Sequence, residues 1–298
     1  MRIVMTGATA GIGFQAALRL QAEGHSLIVG ARRPDRAPKA LAAQTALLPL
    51  DLADLNSVRS FATAVEAVGP FDALLLNAGL QVVSDQRSAQ GYELTFAANH
   101  LAHYLLARRL APRLNTGGRL ILTASGTHDP AERTGMRAPL HADADRLAHP
   151  ETDPKRDKDQ GRAGRRAYST SKLCNVMTAR ELARRMAESR PDLMIAAFDP
   201  GFTPGTGLAR DYPGPIGFIF RWLGPLVFRG PRVSTPANSG GLLAAMATEG
   251  QYQTARGDYF VVRGLGVLEQ RPPSTLAQDP AACARLWDDS ERLIGTLT

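Results

Sequence analysis

A tyrosine and a lysine four residues apart give this sequence its clearest capacity for proton chemistry. Tyr168 and Lys172 lie in a segment with a helical pattern, and positions i and i+4 of a helix share one face. An ammonium about 4 Å from a phenol stabilises its phenolate by about 4 kcal/mol at an effective dielectric constant near 20. That free energy corresponds to roughly three pKa units before the cost of desolvation is subtracted. The pair therefore predicts a phenol that can give a proton to a carbonyl oxygen or remove one from an alcohol.

Two further polar side chains precede this pair along the chain. Ser125 follows a predicted strand over 120–124, where its hydroxyl can hydrogen-bond a substrate oxygen at the carboxyl edge of a parallel sheet. Asn99 lies in a predicted helix over 92–114, where its amide can hold a water that links Lys172 to solvent. Each match is weak alone, but chance explains poorly their joint occurrence in this order. The predicted catalytic set is Asn99, Ser125, Tyr168 and Lys172.

A glycine-rich turn between the first strand and the first helix predicts a site for a dinucleotide. Gly7 permits a tight turn, Gly11 lets the backbone approach a pyrophosphate, and Gly13 allows close packing of helix and strand. The start of the following helix supplies free N–H groups and the positive end of its dipole. A merely tight turn is the alternative. The predicted contacts here are Gly7, Thr9, Ala10, Gly11, Ile12 and Gly13.

Two arginines after the second strand favour NADP(H) over NAD(H). NAD-specific sites of this kind usually place Asp or Glu at the end of that strand. Here Arg32 and Arg33 occupy the position, and Asp35 comes later, beyond Pro34. A guanidinium matches the geometry and charge of a 2′-phosphate. The alternative is that both arginines are solvated surface residues.

The third and fourth strands are also followed by residues suited to a nucleotide. Asp51 and Leu52 can hold an adenine, with the carboxylate near the exocyclic amine and the leucine against the ring. Asn77, Ala78 and Gly79 are small enough to let the backbone pass close to a nicotinamide ribose.

Alternation of short apolar runs with helical patterns predicts an α/β fold. We expect a single Rossmann-like, doubly wound domain over residues 1–298, with a mostly parallel sheet and helices on both faces. The predicted strands cover 3–5, 26–30, 46–50, 73–76, 120–124, 193–198 and 259–262. The predicted helices cover 13–23, 55–67, 92–114, 166–188 and 236–248.

Two stretches interrupt this alternation. Residues 126–164 are polar, charged and too long for an ordinary loop, so we expect an insertion before Tyr168. Residues 203–236, after the sixth strand, are rich in Gly, Pro and aromatic side chains and predict a lid over a bulky apolar substrate. Contact with a membrane surface, or packing of a capping helix, are the alternatives for this lid, since arginines flank its apolar residues.

Composition excludes several classes of protein. The chain is 44% hydrophobic and 21% charged, which is typical of a globular protein. Two cysteines cannot form a disulfide framework, no leader pattern precedes the first strand, and no run approaches a membrane span; we therefore expect a cytoplasmic protein.

Much of the excess charge of +7 lies in 155–166 without interleaved aromatics, so no nucleic-acid partner is expected. His128, His141 and His149 match no compact ligand spacing, so no metal site is expected.

These residues together resemble the short-chain dehydrogenase/reductase family over nearly the whole chain. The resemblance adds Pro200 and Gly201 to the predicted cofactor contacts, and Thr203 is predicted as a further contact. It implies a seven-stranded parallel sheet and hydride transfer with a nicotinamide. It also implies that Tyr168 is the acid/base, that Lys172 lowers its pKa and binds the ribose, and that Ser125 orients the substrate oxygen. Asn99 would hold the relay water.

A narrower resemblance concerns light-dependent protochlorophyllide reductases and retinol dehydrogenase-like or carbonyl reductase-like enzymes. The segment from Ser171 to Thr178 and the tail from Leu286 to Gly295 are similar to the former. Asn99-His100-Leu101 is similar to the latter, although Ala102 replaces the glycine that often follows. Cys174 would be either a proton donor or pigment contact, or a small buried residue on the inner face of a helix.

Three functions remain open at this stage. The first is NADP(H)-dependent reduction of a bulky apolar carbonyl, or oxidation of the alcohol. The second is light-driven reduction of a C=C bond in a chlorin precursor, and the third is a non-catalytic NADP-binding sensor or scaffold. The chain is expected to be a monomer or a homodimer, because family members often pair through the helices predicted at 92–114 and 166–188, which the insertion can cover.

Overall fold

A single sheet of eight strands organises the protein. The computed structural model describes residues 1–204 and 233–295, and only the backbone of residues 42–44. The strand order is β3-β2-β1-β4-β5-β6-β7-β8, and all neighbours are parallel except β7 and β8. The strands are β1 Arg2–Thr6, β2 Ser26–Ala31, β3 Thr45–Pro49, β4 Phe71–Leu76, β5 Leu114–Thr123, β6 Met194–Asp199, β7 Arg256–Arg263 and β8 Val267–Arg271. The predicted mostly parallel α/β sheet is confirmed, and the antiparallel edge strand β8 is an addition to the seven strands predicted.

Helices cover both faces of this sheet, as predicted. The main helices are α1 Gly11–Ala22, α2 Leu55–Val68, α3 Ala102–Leu110, α4 Gln160–Met186, α5 Pro236–Thr248 and α6 Pro280–Ile294. Successive strand residues point to opposite faces. Val4 and Leu74 therefore pack in the core that contains α2, α3, α4 and α6. Ile3 and Leu75 pack in the second core, with α1 and α5.

Several element boundaries differ from the sequence-based expectation. The predicted helix over 92–114 is a short turn, a π-helical turn at Ala97–Leu101, and then α3. β5 already begins at Leu114, because Pro112 cannot continue a helix. α4 begins at Gln160 rather than at Arg166, since the Asp159 carboxylate accepts a hydrogen bond from the Arg162 N–H and caps the helix.

The two interrupting segments are described to different extents. Residues 126–164 contain short turns and the helix Ala144–Ala148, and their last five residues belong to α4. Residues 205–232, most of the predicted lid, lie outside the described residues. Within the described ranges, no helix is both long enough and apolar enough to cross a membrane.

Candidate active site

The predicted site residues lie at one edge of the sheet. Parallel strands align their carboxyl ends, so the segments after β1, β2, β4, β5 and β6 all emerge on the same side. Thr6 at the end of β1 is in register with Leu76 at the end of β4. The phosphate turn, the Asn77 segment and Ser125 are therefore neighbours in space.

Tyr168 and Lys172 lie one turn apart on α4 and face this edge. Their exposed fractions are only 6% and 2%. The Lys172 ammonium lies 5.8 Å from the centroid of the Tyr168 ring and donates to the Thr123 carbonyl oxygen at 3.1 Å. The structure thus brings the two predicted residues together and ties the lysine to the end of β5.

Burial dominates the electrostatics of Lys172. It lowers the pKa of the ammonium from its usual 10.5 to about 8, while the negative charge of Asp199 acts in the opposite direction. The group is therefore still mainly protonated at pH 7. A Cβ on Gly79 would lie 3.2 Å from the Lys172 nitrogen, so glycine leaves open the space beside the ammonium.

Asn99 lies in the π-helical turn and its amide is fully engaged. Its oxygen accepts from the Leu80 N–H at 2.8 Å, and its nitrogen donates to the Leu80 carbonyl at 2.8 Å and to the Ser171 hydroxyl at 3.0 Å. π-turns occur frequently at functional sites. The side chain ties the segment after β4 to α4, and its role with a relay water stays a prediction.

His103 connects this turn to the phosphate-binding turn. Its Nδ1 lies 3.0 Å from the Asn99 carbonyl oxygen, which can only accept, so Nδ1 carries the proton. Burial, and then the charge of Lys172, lower the pKa of His103 to about 3, so the ring is neutral and Nε2 is an acceptor. The Thr6 hydroxyl therefore donates to Nε2 at 3.0 Å and accepts from the N–H groups of Asn77 and Ala78.

Ser125 lies two residues beyond the end of β5 and is half-buried. Its hydroxyl oxygen accepts from the Thr127 N–H at 3.3 Å. Its carbonyl oxygen accepts from the His128 ring at 2.7 Å and from the His128 N–H at 3.1 Å. Within the described residues, no group accepts the hydroxyl proton of Ser125, which leaves this proton available to an incoming oxygen.

The glycine turn has the shape of a phosphate cradle. Gly7 and Gly11 have φ angles of +71° and +58°, where side chains are strained. A Cβ on Gly13 would lie 2.2 Å from the Gly7 carbonyl oxygen, so glycine is required there. The N-cap residue of α1 is Ala10, whose side chain caps no N–H group. Thr9 and Ile12 are half-buried beside these free donors.

The residues predicted to select the nucleotide lie along the same edge. Arg32 and Arg33 follow β2 and are exposed, and neither guanidinium forms an ion pair or hydrogen bond within the part of the chain described. Asp51 accepts from the Ala53 N–H at 3.0 Å, so its carboxylate shapes the turn that carries the half-buried Leu52.

The segment after β6 is held by a buried carboxylate. Asp199 accepts from the Gly201 N–H at 2.9 Å and from the Tyr259 hydroxyl at 2.8 Å, and burial raises its pKa. Gly201 has a φ angle of +70°, and a Cβ there would lie 2.5 Å from a carbonyl of β7. The Thr203 hydroxyl lies 3.1 Å from the Pro200 carbonyl oxygen, so these predicted contacts form one turn.

Sequence reasoning missed several residues that shape the site. They are Thr6, His103, Thr123, His128, Asn175 and Asp199. Two of them carry a local signal, because His103 follows Asn99 by four residues and Asn175 follows Lys172 by three, and such spacings share one face of a helix.

Burial in the core explains Cys174, and a contact with a carboxylate explains His141. Cys174 is buried in the core beneath α4, and burial raises the pKa of its thiol. His141 pairs with Asp153 at 2.7 Å. In the described ranges, no group of three His, Cys, Asp or Glu side chains is placed to hold a metal ion.

Comparison with known proteins gives a consistent set of similarities. Residues 1–133 match the family model for short chain dehydrogenase. A relative from Bos taurus, dehydrogenase/reductase SDR family member 13, is 33% identical over 98% of this chain and 72% of its own length. Protochlorophyllide reductase from Avena sativa is 30% identical over 98% of this chain and 99% of its own length.

Solved structures show the same fold. A protein from Mycobacterium paratuberculosis superposes with a TM-score of 0.71 and 26% identity, over 98% of this chain and 92% of that one. A short chain dehydrogenase from Burkholderia cenocepacia in complex with NADP gives a TM-score of 0.63 at 22% identity, over 88% of this chain and 96% of that one.

Proposed function

The chain belongs to the short-chain dehydrogenase/reductase family of oxidoreductases, and we propose that it uses NADP(H) to interconvert a bulky apolar carbonyl compound and its alcohol. The observation that carries the proposal is the buried pair of Tyr168 and Lys172, whose ammonium donates to the Thr123 carbonyl, two residues before Ser125, at the edge of the sheet that also holds the glycine cradle. A bound NADPH supplies the hydride.

The residues of the first turn fit a dinucleotide. The Gly13 position cannot hold a Cβ, and Ala10 leaves the first N–H groups of α1 without a side-chain cap. Those N–H groups would bind the pyrophosphate, as at other helix N-termini. Arg32 and Arg33 would bind the 2′-phosphate, and the NADP in the structurally similar Burkholderia dehydrogenase supports that choice.

The chain's own residues would carry the proton. Tyr168 would donate it to the carbonyl oxygen during reduction and remove it from the alcohol during oxidation. Lys172 is mainly protonated at neutral pH, and its charge favours the phenolate of the neighbouring tyrosine. Ser125 would donate its hydroxyl proton to the same substrate oxygen and hold it beside Tyr168.

The substrate class is inferred from the segment over 203–236. Its aromatic content supports a bulky apolar substrate. Phe202, which immediately precedes the segment, is 45% exposed.

The experiment is NADPH oxidation in the dark with a panel of bulky aldehydes, ketones and steroid-like or retinoid-like carbonyls. We expect turnover with some members, loss of turnover in Tyr168→Phe, and nearly unchanged NADPH binding. Tyr92→Phe is the matched control, because that hydroxyl donates to Leu293, away from the site. Full activity in Tyr168→Phe would refute the assignment of the acid/base.

A second candidate is light-driven reduction of a C=C bond in a chlorin precursor. The similarity to protochlorophyllide reductase, over nearly the full length of both chains, favours it. An absorbance titration with protochlorophyllide, followed by illumination with NADPH, tests it. If the protein binds the pigment and forms product only in the light, and no carbonyl compound is turned over in the dark, then the second candidate is correct and the carbonyl proposal is wrong.

A further inference from the structure

We propose that His128 is a positioning residue for Ser125, and that its neutral ring bridges Ser125 to the segment after β8. This inference rests on the proposed function, because the hydroxyl of Ser125 matters only when it meets a substrate oxygen. His128 lies three positions after Ser125 in the sequence.

The hydrogen bonds of the ring allow only one protonation state. The Ser125 carbonyl oxygen, 2.7 Å from Nδ1, can only accept, so Nδ1 carries a proton. The Ser274 N–H, 3.2 Å from Nε2, can only donate, so Nε2 carries a lone pair. A single neutral tautomer therefore satisfies both partners. Burial, which leaves 1% of the residue exposed, lowers the pKa of the ring and favours the same form.

The ring is also held from its side. Tyr259 packs edge-on against it, with ring centroids 5.0 Å apart and planes at 75°. The Tyr259 hydroxyl donates to Asp199 at 2.8 Å, and Asp199 in turn accepts from the Gly201 N–H. His128 is thus fixed between β7 and the segment after β8.

Strand pairing does not fix the position of Ser125, because this residue lies beyond the end of β5. Its position therefore depends on other contacts. β5 ends at Thr123, and the Ala124 N–H makes a further bond to the Phe198 carbonyl. After this point, the Ser125 carbonyl accepts from the N–H and the ring of His128. Loss of the ring contact would let Ser125 move, and a misplacement of about 1 Å can cost about 100-fold in rate.

The test compares two variants with different remaining contacts. His128→Phe keeps a ring but removes both hydrogen bonds, whereas His128→Asn keeps a donor near the position of Nδ1. We expect His128→Phe to lower kcat by about 10- to 100-fold with little change in NADPH binding. His128→Asn should recover much of that loss, and equal losses in the two variants would overturn the proposal.

A double-mutant cycle with Ser125→Ala separates positioning from general destabilisation. If His128 acts through Ser125, then His128→Phe should lower kcat much less in the Ser125→Ala background than in the wild type. Equal losses in both backgrounds would overturn the proposal. Full activity of Ser125→Ala alone would overturn it too, although the Tyr168→Phe result would still support an oxidoreductase.

An activity-independent measurement keeps the two proposals distinguishable. Histidine ¹⁵N NMR at pH 7 should show a proton on Nδ1 and none on Nε2 of His128. If no substrate turns over, this result would still support the bridge, while the proposed function fails. A proton on Nε2 would overturn the bridge whatever the activity.

Discussion

Lys172 and Asn175 donate hydrogen bonds to the same acceptor, the carbonyl oxygen of Thr123, at 3.1 and 3.0 Å. The amide of Asn175 would therefore still satisfy this buried carbonyl if the lysine were replaced. The lysine itself is costly, because its folded-state pKa of about 8 is below the usual 10.5. The buried charge therefore lowers the free energy of unfolding, although the proposed chemistry requires it.

We expect Lys172→Met to abolish turnover and to raise the free energy of unfolding at pH 7. The shift from 10.5 to about 8 corresponds to roughly 3 kcal/mol, and the lost hydrogen bond removes about 1 kcal/mol of that gain. The penalty in the wild type is fully present below pH 8. It declines between about pH 8 and 10.5, where the unfolded chain stays protonated and the folded one does not.

Chemical denaturation of both proteins from pH 6 to 10 measures this difference. The advantage of Lys172→Met should shrink as the pH rises above 8. Lys158→Met, which replaces an exposed lysine, should change stability little at any pH. A Lys172→Met protein that is less stable than the wild type at pH 7 would show that the ammonium is well solvated or well paired.

We expect the double change Arg32→Ala and Arg33→Ala to weaken NADPH binding by roughly 10- to 100-fold, the range for charge-assisted hydrogen bonds. NADH, which lacks the 2′-phosphate, should lose little affinity. Both guanidiniums are exposed and are free of hydrogen bonds and ion pairs to the residues the structure describes, so the change should leave folding intact.

Titration calorimetry with the two cofactors measures this selectivity. Arg36→Ala is the matched control, since Arg36 is an exposed arginine of the same segment that lies 3.9 Å from Asp35. Equal losses of affinity for NADPH and NADH would contradict the assignment of the 2′-phosphate site.

Local patterns account for the parts of this protein that its sequence predicts well. The glycine turn lies within eight residues, and Tyr168 and Lys172 lie one helical turn apart, so their geometry follows from local backbone structure. The parallel sheet follows in the same way from buried apolar strands. β8 escaped prediction because it is an edge strand with mostly exposed side chains, which leaves no apolar run.

The residues that support the site are harder to predict because their partners are distant in sequence. His103 meets Thr6 across 97 residues, and the His128 ring meets Ser274 across 146. No local pattern marks such pairs. The π-helical turn at Asn99 likewise depends on bonds to Leu80 and Ser171, on two other elements.

We expect Cys174→Ala to keep its dark turnover and the pH dependence of that turnover. The thiol lies in the core beneath α4, and burial raises its pKa, so it holds its proton throughout the neutral range. The cost should appear in stability, at about 1 kcal/mol for the small cavity. Thermal unfolding and a pH profile check both parts, and an altered pH profile would show a proton-transfer role.

The face predicted for pairing with a second copy lies on the helices α3 and α4. α6 covers the outer side of α3 and α4, where the Tyr104 hydroxyl donates to Glu291 at 2.7 Å. Arg185 binds Asp288 at 2.8 Å, and the buried Trp287 packs edge-on against Tyr104 with centroids 4.9 Å apart. The helix α6 of the same chain therefore covers the surface for which a partner or the insertion is the sequence-based expectation.

We therefore expect any self-association to avoid the helices α3 and α4. Sedimentation should give a monomer, or a dimer whose amide exchange on α3 and α4 does not change with protein concentration. Leu265, exposed in the turn between β7 and β8, offers a control, since Leu265→Ser should weaken a dimer formed there and leave α6 in place. Concentration-dependent protection of α3 and α4 would mean that α6 leaves this face, because its buried tryptophan and ion pairs occupy the surface a partner would need.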